Sequence, residues 1–297
     1  TVPLFGLFLT GGLSETVESI KAVNPEHLSL LPATATAAAI ISSLAWGLGY
    51  FGQPHIIVRF MAISSVKETK QARRIGIGWM ILSLAGALAT ALVGVAYYQQ
   101  NAGELKDAET VFIVLGQLLF HPFIAGIMLA AILAAIMSTI SSQLIVTSSA
   151  LVEDIYKALF NKTATDKHYV FIGRMAVLVV AIIAAILAWN PENSILDLVG
   201  FAWAGFGAAF GPIILLSLYW KRLTNYGALS GMVLGAVTAF VWGKINSLST
   251  ALYEIVPGFL VCLVIAIIVS MMTYKRNNEI EDEFNRSLSL LKEEQGK

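Results

Sequence analysis

A long uncharged apolar run dominates this sequence and restricts the folds open to it. Residues 125–150 read AGIMLAAILAAIMSTISSQLIVTSSA and contain no Asp, Glu, Lys or Arg. An α-helix rises about 1.5 Å per residue, so about 20 apolar residues cross the ~30 Å hydrocarbon core of a bilayer. The run therefore predicts a membrane-spanning helix whose second half is rich in hydroxyl side chains.

The composition supports the same interpretation for the whole chain. Hydrophobic residues make up 57% of the 297 residues and charged residues only 13%, which predicts an integral membrane protein. The net charge is zero and no basic block lies outside the loops, so we expect no nucleic acid partner. Cys262 is the only cysteine, which excludes an internal disulfide and a thiolate metal centre.

The remaining apolar runs predict an all-α membrane protein with seven full spans and one partial helix. We expect a partial helix at 2–9 and full spans near 33–62, 75–98, 122–150, 169–189, 196–220, 226–243 and 253–274. Residues 1–274 would form one transmembrane domain, beginning partway through a helix of a longer chain. Segments 13–31 and 101–120 are expected as short surface helices, the last two spans as peripheral helices, and 275–297 as a solvated tail.

The distribution of Lys and Arg among the loops predicts the orientation of the spans. One side carries Lys67, Lys70, Arg73, Arg74, Lys157, Lys162, Lys167, Lys221, Arg222, Lys275 and Arg276, and the other carries Lys21, Lys106 and Lys244. The richer side is expected in the cytoplasm, together with the C-terminus.

The span near 33–62 has the least regular sequence. Glycines at 47, 49 and 52 and a proline at 54 lie at membrane depth, and Pro54 removes a backbone hydrogen bond and clashes with the preceding turn. A broken helix that lines a cavity is expected, with a simple proline kink as the alternative. Trp46 and Tyr50 lie one turn apart on one face and could wall a pocket, although membrane aromatics also serve in packing.

The hydroxyl-rich half of the central helix is the second candidate site. Ser138, Ser141 and Ser142 fall at i, i+3 and i+4, with Thr139 beside them. Their hydroxyls could bond to neighbouring helices, or they could bind a monovalent cation together with a free carbonyl at Ala135. The absence of a nearby carboxylate in the sequence argues against a divalent metal. No spacing typical of a catalytic set occurs, so we expect neither catalytic residues nor an enzyme.

Three motifs together give the chain a strong resemblance to the sodium/solute symporter family, and within it to the bacterial sodium/proline symporters. They are WGLGYFGQPHIIVRFMA at 46–62, AAILAAIMSTISSQLIVTSSALVEDIYK at 130–157 and NPENSILDLVGFAWAGFGAAFGP at 190–212. The resemblance implies the inverted-repeat fold of sodium-coupled amino-acid transporters. The chain would hold its second repeat and about half of each site, the first repeat being absent.

The resemblance also implies the roles of the two candidate sites. Sodium, the coupling ion, would bind the hydroxyls of Ser138 and Thr139 and the Ala135 carbonyl. Proline would bind at Trp46, Tyr50 and the break at Pro54. No other cofactor is implied, the protein would lie in the bacterial plasma membrane, and we expect the functional unit to be a monomer. The alternatives are a solute-sensing membrane domain of a signalling protein and a sodium symporter of another small organic solute.

Overall fold

The computed structural model describes residues 1–103, 105–160, 164–189 and 194–295. Lys162, which entered the orientation count, and residues 190–193 of the third motif lie outside these described residues. The helices within them are α1 Val2–Leu9, α2 Leu13–Val23, α3 Ala37–Gly49, α4 Pro54–Met61, α5 Val66–Gln100, α6 Val111–Leu119, α7 Pro122–Ser149, α8 Lys157–Leu159, α9 Asp166–Leu187, α10 Ile195–Tyr219, α11 Asn225–Lys244, α12 Asn246–Ser249, α13 Ile255–Thr273 and α14 Asn278–Gln295. Across the described ranges the fold is all-α, as predicted.

Within the described residues, six helices are long and apolar enough to cross a membrane. They are Glu68–Gln100, Pro122–Leu159, Asp166–Leu187, Ile195–Tyr219, Asn225–Lys244 and Ile255–Thr273. The chain is therefore a multi-pass membrane protein. The first of these begins well before its expected start near 75, because a helix can continue beyond the hydrocarbon through charged turns such as KETKQARR at 67–74.

The predicted span near 33–62 is divided into short pieces. Helix α3 ends at Gly49, a 3-10 turn follows at Tyr50–Gly52, Gln53 is extended (φ −87°, ψ 112°), and α4 begins at Pro54. The residue before a proline avoids the helical region, and proline is suited to the first turn of a helix. The conformational preferences of Pro54 and of Gln53 before it thus produce a break between two helices rather than a kink within one.

The chain folds as two compact units, which are described separately. The first unit comprises Thr1–Ala35 and Glu68–Ser141, and the second comprises Thr36–Lys67 and Ser142–Lys297. In the first unit, Val2 of α1, Val93 of α5 and Leu115 of α6 form a buried cluster. Segment 101–120 is thus more than the surface helix expected from its polarity, because the apolar face of α6 is buried.

The second unit is built around α10, α11 and α13. Gly227, Gly231 and Gly235 line one face of α11, and a methyl group on Gly235 would lie 2.6 Å from the Cβ of Cys262 in α13. Such small residues let membrane helices approach closely. Helix α13 buries one face, where Ile255 and Cys262 have no exposed surface, and exposes the other, where Leu260 and Val264 are about half exposed. That both last spans are peripheral helices stays a prediction. Apolar residues face lipid and protein alike, so hydropathy alone does not distinguish them.

Beyond Ser149, α7 continues as a π-helical segment at Ala150–Tyr156 before α8. This segment ends in two local contacts, an ion pair between Lys157 and Glu153 at 2.9 Å and a hydrogen bond between the Tyr156 hydroxyl and His168 Nε2 at 2.8 Å. The second contact joins the segment to the start of α9.

Candidate functional site

The helix break lies directly against α10, and glycines make this approach possible. A methyl group on Gly52 would lie 2.8 Å from the Cα of Gly207, and one on Gly207 would lie 2.8 Å from the Cα of Gly49. Both distances are shorter than any ordinary Cβ contact. The glycines at 49, 52 and 207 therefore place the backbone of the break in contact with the backbone of α10.

Trp203 of α10 lies against both aromatic residues predicted for the solute site. Its ring stacks on Trp46, with centroids 5.4 Å apart and planes inclined by 14°, and it meets Tyr50 edge to face at 4.9 Å. The Trp203 indole Nε1–H donates a hydrogen bond of 2.9 Å to the Trp46 carbonyl. Since the α-helix ends at Gly49, this bond supplies a partner for a carbonyl in its last turn.

Gln53 connects the break to the same tryptophan from the other end. Its side chain is 4% exposed, and Nε2 donates a hydrogen bond of 3.3 Å to the Trp203 backbone carbonyl. Trp203 therefore interacts with Trp46 in the last turn of α3 through its side chain and with Gln53 inside the break through its backbone. Pro54 follows immediately and is half-buried at the start of α4.

Tyr253, in the loop before α13, packs on Trp46 with centroids 6.2 Å apart. Its hydroxyl donates a hydrogen bond of 2.6 Å to the Gly200 carbonyl, and its backbone N–H donates one of 3.0 Å to the Ser42 hydroxyl. Burial, and to a lesser degree the neighbouring Glu254 carboxylate, raises the pKa of the Tyr253 phenol. The phenol therefore stays protonated and remains a donor at physiological pH.

The structure thus brings Trp46, Tyr50 and Pro54 together on one unit, with 44% of the Tyr50 surface exposed. Sequence analysis missed their partners Trp203, Gln53 and Tyr253. Two of them carried a signal that could have been used: Trp203 is flanked by small residues in GFAWAGFG, and Gln53 is an amide side chain inside the break. Tyr253 carried none, because only the folded chain brings its loop to Trp46.

The candidate cation ligands lie on α7 in the other unit. The Thr139 hydroxyl donates a hydrogen bond of 3.1 Å to the Ala135 carbonyl. This carbonyl was expected to be free, and it is not. Helix α7 passes through 135–139 without a break. Ala135, Ser138 and Thr139 are all exposed. Within the described residues, no group of three or more His, Cys, Asp or Glu side chains could hold a metal ion.

Helices interrupted by non-helical backbone and flanked by aromatic side chains are typical of secondary transporters, which use such breaks to bind solutes. This architecture agrees with the sequence comparisons. The family model described as "Sodium:solute symporter family" matches residues 1–235, so the chain belongs to the sodium:solute symporter family.

Several curated proteins are similar to the chain over most of its length. It is 57% identical over 284 residues to the high-affinity proline transporter PutP of Bacillus subtilis, covering 96% of this chain and 60% of that protein. It is 54% identical over 273 residues to the osmoregulated proline transporter OpuE of the same organism, covering 92% and 55%. It is 49% identical over 302 residues to a sodium/proline symporter of Staphylococcus aureus, covering 98% and 58%. The chain therefore spans between 55% and 60% of the length of these relatives.

Proposed function

We propose that the protein is a secondary active transporter that couples the inward movement of sodium to the uptake of proline across the bacterial plasma membrane. The observation that carries this proposal is the helix break at 50–53. Trp203 of α10 bonds to the helix before this break and packs against the Tyr50 ring inside it. The relatives named above, which are proline transporters and a sodium/proline symporter, favour proline among small organic solutes.

The chemistry of the break suits a small zwitterion with an apolar ring. The faces of Trp46 and Tyr50 offer apolar surface for the pyrrolidine ring of proline. The first turn of α4 begins at Pro54, and a helix N-terminus favours a carboxylate. We therefore assign Trp46, Tyr50 and the Pro54 turn to the solute site.

The oxygen atoms on α7 suit sodium. The Thr139 hydroxyl and the Ala135 carbonyl are 3.1 Å apart, so both could contact one cation at about 2.3–2.6 Å, the range for calcium, an ion of similar size. The Thr139 hydroxyl hydrogen would have to turn away from the carbonyl when the ion binds. We assign Ala135, Ser138 and Thr139 to the sodium site, with sodium as co-transported substrate.

The mechanism we propose is differential binding to two conformations. Sodium would favour the outward-open state and order the solute site, and proline would then close Trp46 and Tyr50 around itself. The excess of Lys and Arg in the loops assigned to the cytoplasm supports a cytoplasmic C-terminus. A single chain would carry out the cycle.

The experiment that tests this function is the binding of radiolabelled proline to the full-length purified protein, in sodium and in potassium at equal ionic strength. We expect binding in sodium that is at least about tenfold tighter than in potassium. Unlabelled alanine, betaine and glucose serve as competitors that report on the solute. Equal proline binding in both salts would contradict sodium coupling, and displacement by another solute at lower concentration would contradict proline.

A further inference from the structure

An apolar groove runs along the surface between α10 and α11, within the second unit. It has a volume of about 470 Å³, and Phe, Ala and Gly residues alone line it. Phe201, Phe206 and Phe210 of α10 and Phe240 of α11 supply aromatic surface, and a methyl group on Gly205 would meet nothing within 4 Å. The groove therefore has open space at Gly205, among the four phenylalanine rings.

The length of the groove matches one leaflet of a bilayer. Phe201 and Phe210 are nine residues apart on α10, which corresponds to about 14 Å along the helix axis. Half of the hydrocarbon core is about 15 Å thick. An acyl chain that lies along the groove would thus reach from the membrane interface to the bilayer centre.

A lysine lies at the interfacial end of the groove. Lys244 is the last residue of α11, and its ammonium group lies 5.5 Å from the ring centroid of Phe201 and 5.8 Å from that of Phe240. These rings belong to the groove itself, so the charge is held at its mouth by cation–π contacts. Among the described residues, Lys244 makes no ion pair within 4.0 Å, and its N–H groups can donate to an anion.

We propose that this groove binds one anionic phospholipid, with an acyl chain along the four phenylalanines and the headgroup phosphate at Lys244. Charge complementarity determines the choice of lipid: an apolar groove alone would accept any acyl chain, whereas the ammonium group at its mouth favours a headgroup with net negative charge through a charge-assisted hydrogen bond. The bound lipid would act as a structural part of the α10–α11 pair. The site is separate from the residues assigned to sodium and proline.

Two substitutions in the full-length protein test the acyl and headgroup parts separately. Gly205→Leu fills the groove without contacting a neighbour at Cβ, and Gly86→Leu on α5, where a methyl group also meets nothing within 4 Å, is its control. Lys244→Gln removes the charge, and Lys106→Gln, at an exposed loop position, is its control. The affinity of the first bound lipid is measured by native mass spectrometry with palmitoyl-oleoyl phosphatidylglycerol and with the phosphatidylcholine of identical chains.

We expect Lys244→Gln to weaken phosphatidylglycerol binding at least about tenfold and phosphatidylcholine binding less than twofold, because only the anionic lipid loses a charge-assisted contact. Gly205→Leu should weaken both lipids, and the two controls neither. Unchanged phosphatidylglycerol affinity in Lys244→Gln would overturn the proposal, whether or not Gly205→Leu folds. So would a folded Gly205→Leu variant with unchanged affinity for both lipids, because a filled groove could not then be the place where the acyl chain binds.

Discussion

The indole N–H of Trp203 is the most specific contact between α10 and the helix break. Replacing Trp203 by Phe keeps an aromatic ring beside Trp46 and Tyr50 but removes the hydrogen bond to the Trp46 carbonyl. Such a change removes about 0.5–1.5 kcal/mol of stabilisation. Because the proposed function has proline bind the conformation that contains this bond, we expect proline affinity to fall by up to about two- to tenfold. Equilibrium proline binding in sodium measures this effect.

The control for this prediction is Gln100→Met in α5. The Gln100 amide donates to the Thr10 carbonyl at 3.0 Å and to the Ser19 hydroxyl at 2.9 Å, within the first unit, whereas the break belongs to the second. This variant should lose stability and keep its proline affinity within twofold. Equal losses of proline affinity in both variants would show that Trp203 acts only through general stability.

Thr139 permits a similarly matched test of the sodium site. Thr139 and Thr238 each donate a hydroxyl hydrogen bond to the carbonyl four residues earlier, at 3.1 and 2.7 Å. Replacing either by Val removes the same local bond, so the structural cost should be similar. We expect Thr139→Val to raise the sodium concentration for half-maximal proline uptake at least about tenfold. This change corresponds to a loss of about 1.4 kcal/mol in the free energy of sodium binding. Thr238→Val should leave it within twofold, and an equal response of the two would contradict the assignment.

At the scale of elements, the break depends on its close approach to α10. A methyl group on Gly52 would overlap the Phe206 carbonyl, whereas one on Gly47 in the adjoining helix would meet nothing within 4 Å. We expect Gly52→Ala to destabilise the protein by about 1–3 kcal/mol through overpacking. Gly47→Ala should instead be neutral or stabilise by up to about 1 kcal/mol through helix propensity. Thermal unfolding in detergent compares them, and an unchanged midpoint in Gly52→Ala would contradict the packing described.

The same elements show which features of the fold could be predicted from the sequence and which could not. The break was predictable because its causes are local: glycines that tolerate non-helical angles and a proline that restricts its predecessor. The contact of Trp46 with Trp203 was not, because 157 residues separate them and no local pattern specifies that pairing. The close packing of one face of α13 against α11 was not predicted for a different reason: its partner face on α11 is a row of glycines, which hydropathy does not distinguish from other apolar surface.

At the scale of the whole molecule, the described residues divide between a membrane region and a polar C-terminal helix. The Tyr274 hydroxyl donates a 2.8 Å hydrogen bond to Glu281, and Arg276 lies 3.5 Å from the same carboxylate. The hydrogen bond, followed by the positive charges of Arg276, Lys221 and Arg222, lowers the pKa of Glu281. The contact is therefore complete above the ordinary carboxyl pKa of 4.5 and is lost as pH falls through the lower value.

A spin label at Ser287→Cys on α14 would report this loss, since the native thiol of Cys262 is fully buried. We expect the label to become more mobile as pH falls from 7 to below 4. Glu281→Gln should give the mobile spectrum already at pH 7, whereas Glu279→Gln, two residues away, should behave as wild type. A spectrum of Glu281→Gln that still requires acid for mobility would show that other contacts hold α14.

The whole-molecule prediction from sequence was accurate in class and less so in detail. Uncharged runs of bilayer length indicated the spans, because a lipid environment leaves few alternatives to a helix. The ends of α5 and the burial of α6 depend on tertiary contacts, and the sequence pattern did not determine them. The hydroxyl pattern on α7 was visible in the sequence. The hydrogen bond from Thr139 to the Ala135 carbonyl was not predicted from it.

The hydrogen bond from Trp203 to Trp46 also has a consequence for motion. Its donor belongs to α10 and its acceptor to the helix that precedes the break, so any displacement of one without the other exposes the indole proton to solvent. The hydrogen-exchange rate of that proton therefore measures how often the break separates from α10. The Trp242 indole, held by the carbonyls of Leu248 in α12 and of Leu252, provides a reference. Equally slow exchange of both protons during turnover would mean that α10 and the break travel together as one rigid body.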